Sequence, residues 1–396
     1  MNSDIVDARC LVKVGWILQM FVRDFLNSRS CVKFSYLPML CRKTLRMKFI
    51  AEHLPRIGSV SVVIEGSNAV TITNITSLFL DIEDDTGNHA QIKLPHPVNP
   101  KSVQTVCTNN SQTHIKLKVQ QSTCDLKYWD RSRNFMMSVS ESKWMRKHLC
   151  DEEFQFQCAA CNCCLISHSD CSQINDMPSE FWAELMDYWH CHKPSINEKP
   201  VYSTGYNKLM PNIGELLVGE SYITLNKEWL SEKFKVDGNT VKCGECLSNL
   251  GEITKDGLLK VHKWNIELNA KNSTEQYLPE YSVLSAMLDS INSNAARMLL
   301  LKGPDGTEVL LWVFAIGIDV TLSDNDVSTN VMKVFYTKNK EDIHEACEHM
   351  KQNLEQLAVA DVPMKRFIRR LEATNATLPT DSQRMDFWNL SYVSFK

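Results

Sequence analysis

Cysteines concentrate in one stretch of the sequence, FQFQCAACNCCLISHSDC (residues 154–171), which holds five of the chain's 15 cysteines. Cys158 and Cys161 form a Cys-x-x-Cys pair there, and Cys243 and Cys246 form a second pair in VKCGECLSNLGE. Two thiolates three residues apart on a tight turn can face one zinc ion. The two pairs, if they meet in space, therefore predict a closed, structural four-cysteine zinc site.

Other interpretations of the two pairs stay open. The 81 residues between them exceed the usual spacing of a zinc ribbon, so a shared site depends on tertiary structure. Each pair could be buried separately as small apolar side chains, or act as a redox Cys-x-x-Cys, although neither follows a thioredoxin-like βαβ pattern. Cys163 and Cys164 are alternate ligands that could replace Cys161. His168 and Cys171 are also in reach, and a second metal site would combine these residues with Cys191 and His192.

A helix is expected to carry Cys191 and His192 at its C-terminal end. In NDMPSEFWAELMDYWHCHKP, Asp176 or Ser179 can cap the helix, apolar residues recur at helical spacing, and Pro194 ends it. The alternative to a ligand role is that these residues cap the helix, because a histidine there can hydrogen-bond the last carbonyls.

Covalent chemistry would require a thiol in a polar, electropositive and partly exposed place. Cys347 is a weak candidate, because it lies in the C-terminal region, as a thioester cysteine would. It falls on the apolar stripe of its helix with Ile343 and Met350, which favours a buried structural role. The sequence has no Gly-x-Ser-x-Gly, phosphate loop, dinucleotide fingerprint or His-Glu-x-x-His. No hydrolase or nucleotide-dependent reaction is indicated.

Composition and charge narrow the class of protein. The 396 residues are 43% hydrophobic and 23% charged, which is ordinary for a soluble globular protein. The net charge of -4 disfavours direct nucleic-acid binding through bulk charge. No apolar run approaches the roughly 18 residues of a membrane span. The odd number of cysteines and the lack of a good signal peptide predict a reducing compartment, taken as cytoplasmic.

The chain divides into three predicted parts. Residues 1–46, with eight Lys or Arg and three Asp, are expected to be a poorly ordered or non-native extension, with a mitochondrial transit peptide as the alternative. Residues 47–150 contain short alternating stretches at about ten-residue spacing, typical of a β-sandwich or barrel. Residues 151–396 are the cysteine-rich part.

The C-terminal part is expected to mix helices and strands. The fold class predicted for the whole chain is therefore α+β, with a sandwich-like N-terminal domain followed by a zinc-stapled C-terminal domain. EVLLWVFAIGIDVTL and VMKVFYT are predicted strands. The predicted helices run from Glu280 to about Ile291, from Glu341 to Val359 and from near Met364 to Glu372.

Several stretches together resemble one family of proteins. MPSEFWAELMDYWHCHKP resembles its Pro-Ser-Glu-x-Trp…Trp-x-Cys-His segment, and VKCGECLSNLGE resembles its Cys-x-x-Cys…Leu-Gly-Glu element. VLLWVFAIGIDV, VMKVFYT and LEATNATLPTDSQRMDFWNLSYVSF are similar to its C-terminal blocks. The order and rough spacing agree from about Met47 to the end. The family is that of the HECT-like proteins that bind the ubiquitin-conjugating enzyme (E2).

The resemblance implies a ubiquitin-protein ligase that binds a ubiquitin-charged E2 and promotes ubiquitin transfer. It also implies an alternative: a non-catalytic binding protein or inhibitor of the nuclear mRNA 3′-end processing endonuclease, with the segment of Cys158 and Cys161 as the contact. This role implies a nuclear as well as a cytoplasmic localisation. Only the cysteine pairs and the WHCH turn match residue by residue. The chain departs from true HECT ligases, because it has no recognisable two-lobed domain and no clear catalytic-cysteine motif.

Overall fold

The computed structural model of the protein describes residues 47–66, 70–84, 87–109, 112–120, 143–150, 153–177, 210–270, 273–323, 326–349 and 354–394. The chain divides into two units, Met1–Leu45 and Arg46–Lys396, and the described residues belong to the second. The predicted extension at residues 1–46 and the predicted helix that carries Cys191 and His192 lie outside the described residues.

Most described residues form β-strands. In chain order the strands are β1 (Phe49–Leu54), β2 (Ser59–Glu65), β3 (Thr71–Ile75), β4 (Phe79–Glu83), β5 (His89–Lys93), β6 (Val98–Asn109), β7 (Gln112–Val119), β8 (Phe154–Cys158), β9 (Cys164–Ser167), β10 (Gln173–Asp176), β11 (Glu215–Val218), β12 (Tyr222–Leu225), β13 (Phe234–Asp237), β14 (Thr240–Cys243), β15 (Asn249–Ile253), β16 (Leu259–His262), β17 (Ile266–Ala270), β18 (Ser273–Gln276), β19 (Met298–Lys302), β20 (Glu308–Leu322), β21 (Ser328–Thr337), β22 (Leu354–Ala358), β23 (Arg384–Met385) and β24 (Trp388–Val393).

The described strands form four sheets. The largest has ten strands in the order β23-β24-β21-β20-β1-β2-β7-β6, with β19 on β20 and β22 on β19. The others have the orders β10-β11-β12-β16-β15-β14-β13, β18-β17-β8-β9 and β3-β4-β5. Because β1 pairs with β2 on one side and β20 on the other, the largest sheet joins both sides of the predicted boundary at residue 150. The division into residues 47–150 and 151–396 itself stays a prediction.

The N-terminal strands have the alternating pattern of half-buried sheets. Val62 and Ile64 of β2 share one buried core with Leu80 and Ile82 of β4, since alternate side chains on a strand point to the same face. The three-stranded sheet thereby packs against one end of the ten-stranded sheet.

Two of the four described α-helices pack on opposite faces of the large sheet. The four helices are α1 (Arg146–Leu149), α2 (Glu280–Asn294), α3 (Lys340–His349) and α4 (Asp361–Thr377). Leu311 of β20 shares a core with Phe367 of α4. Its neighbour Leu310 points to the opposite face and shares a core with Ile343 of α3.

The β-rich α+β class is confirmed, since the described residues are mostly strand with few helices. The helix predicted from Glu341 to Val359 is too long, because α3 ends at His349 and residues Leu354–Ala358 form β22. β22 pairs in parallel with β19, so sheet pairing prevails there over the helical spacing of Leu354 and Leu357. Among the described helices, none is both long and apolar enough to span a bilayer.

A nearly buried polar group joins the first strand to the last ones. The Glu52 carboxylate accepts hydrogen bonds from Lys333 Nζ at 2.8 Å and from the Tyr392 hydroxyl at 2.7 Å. These residues lie on β1, β21 and β24, and the side chains of Glu52 and Lys333 are only 13% and 18% exposed. Glu52 therefore satisfies two donors that have little access to water.

We predict that Glu52→Ala destabilises the fold by about 1–3 kcal/mol, because it leaves nearly buried donors unsatisfied. The measurement is the midpoint of urea unfolding. The control is Glu308→Ala, which breaks the more exposed ion pair with Lys302 and should cost less than about 1 kcal/mol. Equal losses in the two variants would contradict the role given to Glu52.

Candidate metal centre

The first cysteine pair lies on the tight turn between β8 and β9. The Asn162 N–H donates to the Cys158 carbonyl at 2.8 Å, and the Cys158 N–H donates to the Cys163 carbonyl at 3.0 Å. Asn162 has a φ of 59°, a left-handed conformation that asparagine adopts more easily than most residues. The turn places the thiols of Cys158 and Cys161 on the same side.

The second pair lies on an equivalent turn between β14 and β15. The Leu247 N–H donates to the Cys243 carbonyl at 3.1 Å, and the Cys243 N–H donates to the Ser248 carbonyl at 2.9 Å. Leu247 has a φ of 60°, which matches Asn162 in the first turn. CAACNC and CGECLS are thus two copies of one local structure, which we call the first and second knuckles.

Glycine is required at the second position of the second knuckle. A β-carbon on Gly244 would lie 2.6 Å from the Glu232 carbonyl oxygen and 3.0 Å from that of Lys233. The Gly244 N–H donates to the same Lys233 carbonyl at 2.8 Å. This close approach fixes the knuckle against the residues that precede β13.

Two consecutive strands bring the knuckles together. β16 pairs with β15 in the seven-stranded sheet, and β17, which follows after one short turn, pairs with β8 in the four-stranded sheet. The Ala159 N–H of the first knuckle also donates to the Asn265 carbonyl of that turn at 3.2 Å. The residues between the two sheets therefore supply the tertiary structure on which a shared site depends.

The four predicted sulfurs meet. The Sγ atoms of Cys158, Cys161, Cys243 and Cys246 all lie within 4.8 Å of one another. Cys158 Sγ is 3.7 Å from Cys246 Sγ, and Cys161 Sγ is 3.8 Å from Cys243 Sγ. Sulfurs bound tetrahedrally at roughly 2.3 Å from one ion would be about 3.8 Å apart. The cluster could thus hold a metal ion with little rearrangement.

In each knuckle, the residue five positions after the first cysteine contacts the other knuckle. Cys163 Sγ lies 3.3 Å from Cys243 Sγ, and Ser248 Oγ lies 3.2 Å from Cys158 Sγ. Ser248 also contacts Cys246 Sγ at 3.1 Å. The sequence analysis did not identify Ser248. Aligning CAACNC with CGECLS would have shown that Ser248 occupies the position equivalent to Cys163.

The second knuckle favours deprotonated sulfur. Hydrogen bonds from the Ser248 side chain and backbone lower the pKa of Cys246 to about 6. Burial acts to raise the pKa of Cys243, yet hydrogen bonds from the Cys246 backbone, the Cys163 thiol and the Glu245 backbone lower it overall. Backbone amides turned toward sulfur thus favour the thiolate, the form of cysteine that binds metals.

The other sequence candidates differ in their placement. Cys163 is in contact with the cluster, whereas Cys164 begins β9 and is not one of the four clustered residues. Cys171 Sγ lies 3.5 Å from the Ser167 carbonyl oxygen. Cys191 and His192 lie outside the described residues, so the second metal site stays a prediction.

Cys347 lies on α3, on the wall of a groove of about 360 Å³ that is also lined by Lys302, Glu308 and His344. Burial raises the pKa of its thiol, the charge of Glu308 raises it further, and Lys302 opposes both. The net effect disfavours the thiolate. Cys347 is partly exposed beside charged side chains, so its role stays a prediction.

Comparison with known proteins places the chain in a family. Residues 52–390 match the model of the family described as HECT-like ubiquitin-conjugating enzyme (E2)-binding. The chain belongs to this family, and the resemblance expected from the sequence is confirmed. No solved structure matches the chain.

Curated relatives include one full-length match and several partial ones. The uncharacterized protein YJR141W of Saccharomyces cerevisiae is 32% identical over 350 residues, which are 88% of this chain and 99% of that protein. A protein of Mus musculus that is named as an E3 ubiquitin-protein ligase is 22% identical over 164 residues, 40% of this chain and 42% of that protein. The ligase of the same name from Pongo abelii is 19% identical over 287 residues, 60% of this chain and 72% of that protein.

We predict that Gly244→Ala destabilises the protein by about 1–3 kcal/mol, because the added methyl group meets backbone that must shift. The measurement is urea unfolding followed by tryptophan fluorescence. Glu245→Ala in the same knuckle is the control, since Glu245 is exposed, and it should change stability by less than about 0.5 kcal/mol. A Gly244→Ala protein as stable as the wild type would show that the knuckle does not need glycine there.

Proposed function

We propose that the protein is an E3 ubiquitin-protein ligase that binds a ubiquitin-charged E2 and promotes ubiquitin transfer to substrates. The observation that carries the proposal is the match to an E2-binding family over residues 52–390. Similarity to proteins named as E3 ubiquitin-protein ligases supports it. The proposed partners are therefore an E2 and ubiquitin. The cytoplasmic and nuclear localisation stays a prediction.

The four-cysteine cluster is proposed to hold zinc. An all-sulfur, tetrahedral donor set selects zinc or iron, and the separations between the sulfurs fit roughly 2.3 Å Zn–S bonds. Cys158 and Cys243 are buried, while Cys161 and Cys246 reach the surface. With four protein sulfurs the ion would have no position for substrate, so its role is structural.

The ion would hold the two knuckles together. They belong to different sheets and are joined through β16 and β17. An ion bound by four sulfurs from the two sheets would fix the relative position of the sheets, in addition to the main-chain contacts between them. In this proposal the metal supports the E2-binding structure and takes no part in ubiquitin transfer.

Transfer is proposed to proceed from the E2 to the substrate without a thioester on Cys347. A thioester cysteine must be a good nucleophile, and its thiolate is the reactive form. Burial and the carboxylate of Glu308 act against that form at Cys347, since both raise the pKa of its thiol. The protein would then act by binding and orienting the charged E2.

The alternative function, a non-catalytic inhibitor of the mRNA 3′-end processing endonuclease, stays a prediction. It requires a surface of the first knuckle to bind a partner. The ligase proposal requires faster discharge of a charged E2. An assay of discharge therefore separates the two.

We predict that the purified protein contains about one zinc ion per chain, measured by inductively coupled plasma mass spectrometry. Cys246→Ala should lose the metal and unfold at a lower temperature, because one of four ligands is gone. Cys150→Ala is the control, since Cys150 is exposed and not one of the four clustered residues, and it should keep its metal. Folded wild-type protein without metal would defeat the zinc proposal.

We predict that the wild-type protein speeds the discharge of ubiquitin from at least one member of a panel of charged E2 enzymes. Cys347→Ser should act at close to the wild-type rate, and Cys158→Ala should lose activity together with its metal. Gel analysis under non-reducing conditions follows the thioester on the E2. No acceleration with any E2 would reject the ligase proposal, whereas loss of activity in Cys347→Ser alone would assign that residue a direct role.

A further inference from the structure

We propose that Cys163 is an oxidant-sensitive thiol that forms a disulfide with Cys243 and thereby releases the metal. The proposal rests on the zinc site proposed above and adds a chemical modification of that site. Its geometric basis is the 3.3 Å contact between the two sulfurs, which is shorter than the 3.8 Å separation of Cys161 from Cys243. Cys163 is thus a fifth sulfur at a four-sulfur centre.

The position of Cys163 makes it accessible to a small oxidant. Its side chain is partly exposed, whereas Cys243 is buried. Because Cys163 is not one of the four proposed ligands, its sulfur would not be committed to the metal.

Cys164, the next residue, provides the natural comparison for Cys163. It starts β9, whereas Cys163 precedes that strand and belongs to the first knuckle. It is also partly exposed and is not one of the four clustered residues. If oxidation of any nearby thiol released the metal, replacing Cys163 and replacing Cys164 would slow the release equally.

The two equivalent knuckles differ in one respect. Where the first knuckle has Cys163 against Cys243, the second has Ser248 against Cys158, with Oγ and Sγ 3.2 Å apart. A hydroxyl cannot form a disulfide, so only one of the two matching contacts can be oxidised. The same comparison shows that serine is accepted at this position in the local structure.

The proposed reaction uses hydrogen peroxide as the oxidant. Peroxide transfers one oxygen to the Cys163 sulfur, which becomes a sulfenic acid as the O–O bond breaks and water leaves. The Cys243 sulfur then attacks the Cys163 sulfur. The new S–S bond forms, the S–O bond breaks, and hydroxide leaves and takes a proton from solvent to give a second water. The metal loses its bond to Cys243, and a thiol reductant reverses the step.

The consequence is an exchange of one cross-link for another. The metal joins the two knuckles through four sulfurs, and the disulfide would join the same knuckles through Cys163 and Cys243. Peroxide would therefore remove the ion while a covalent link between the two hairpins remains.

The test measures zinc release from the full-length protein on addition of hydrogen peroxide, with a colorimetric zinc indicator, and maps disulfides by mass spectrometry. Wild-type protein should release zinc and lose about 2 Da, with peptides containing Cys163 and Cys243 linked. Cys163→Ser should release zinc at about one tenth of the wild-type rate or more slowly. Cys164→Ser should release zinc at the wild-type rate. Adding Ser248→Cys to Cys163→Ser should restore release, through a link to Cys158.

The outcomes separate this proposal from the one on which it rests. Untreated wild-type protein without zinc would overturn the metal site. Zinc that is present, but is released equally fast from wild type and Cys163→Ser, would overturn the role of Cys163 alone. Linkage of Cys163 to a residue other than Cys243 would also overturn it.

Discussion

The contact between four sulfurs from two distant hairpins is the constraint on which the C-terminal architecture depends. Cys158 and Cys161 lie at the end of β8 in one sheet, while Cys243 and Cys246 lie at the end of β14 in another. Each hairpin folds locally into the same knuckle, with the same two backbone hydrogen bonds. The knuckles can meet only if β16 and β17 place the two sheets side by side. Formation of the cluster therefore depends on the correct arrangement of these two sheets.

A metal at the cluster would stabilise a part of the protein that has little regular helix. Among the described residues, the part around the knuckles consists of short strands, which gain little stability individually. A metal that binds only the folded arrangement adds its binding free energy to the stability of the fold. The large sheet, by contrast, is stabilised by apolar cores on both faces and by the Glu52 group that joins β1 to β21 and β24.

Local patterns predicted much of this structure, and long-range pairing accounts for what they missed. Period-two alternation predicted short strands in residues 47–150, and the two Cys-x-x-Cys pairs predicted the members of the cluster. β6 was missed because Pro100 interrupts its pattern, and it is tolerated because β6 is an edge strand. The residues of β22 show helical spacing but pair with β19. Ser248 was missed because its role appears only when the two knuckles are compared in space.

The claim that the four cysteines form one metal centre is most directly tested by X-ray absorption at the zinc edge on the protein as purified. The proposal predicts a single zinc with four sulfur neighbours at about 2.3 Å. A spectrum that requires nitrogen or oxygen ligands, or protein that contains no metal while all four thiols react freely with a thiol reagent, would contradict it.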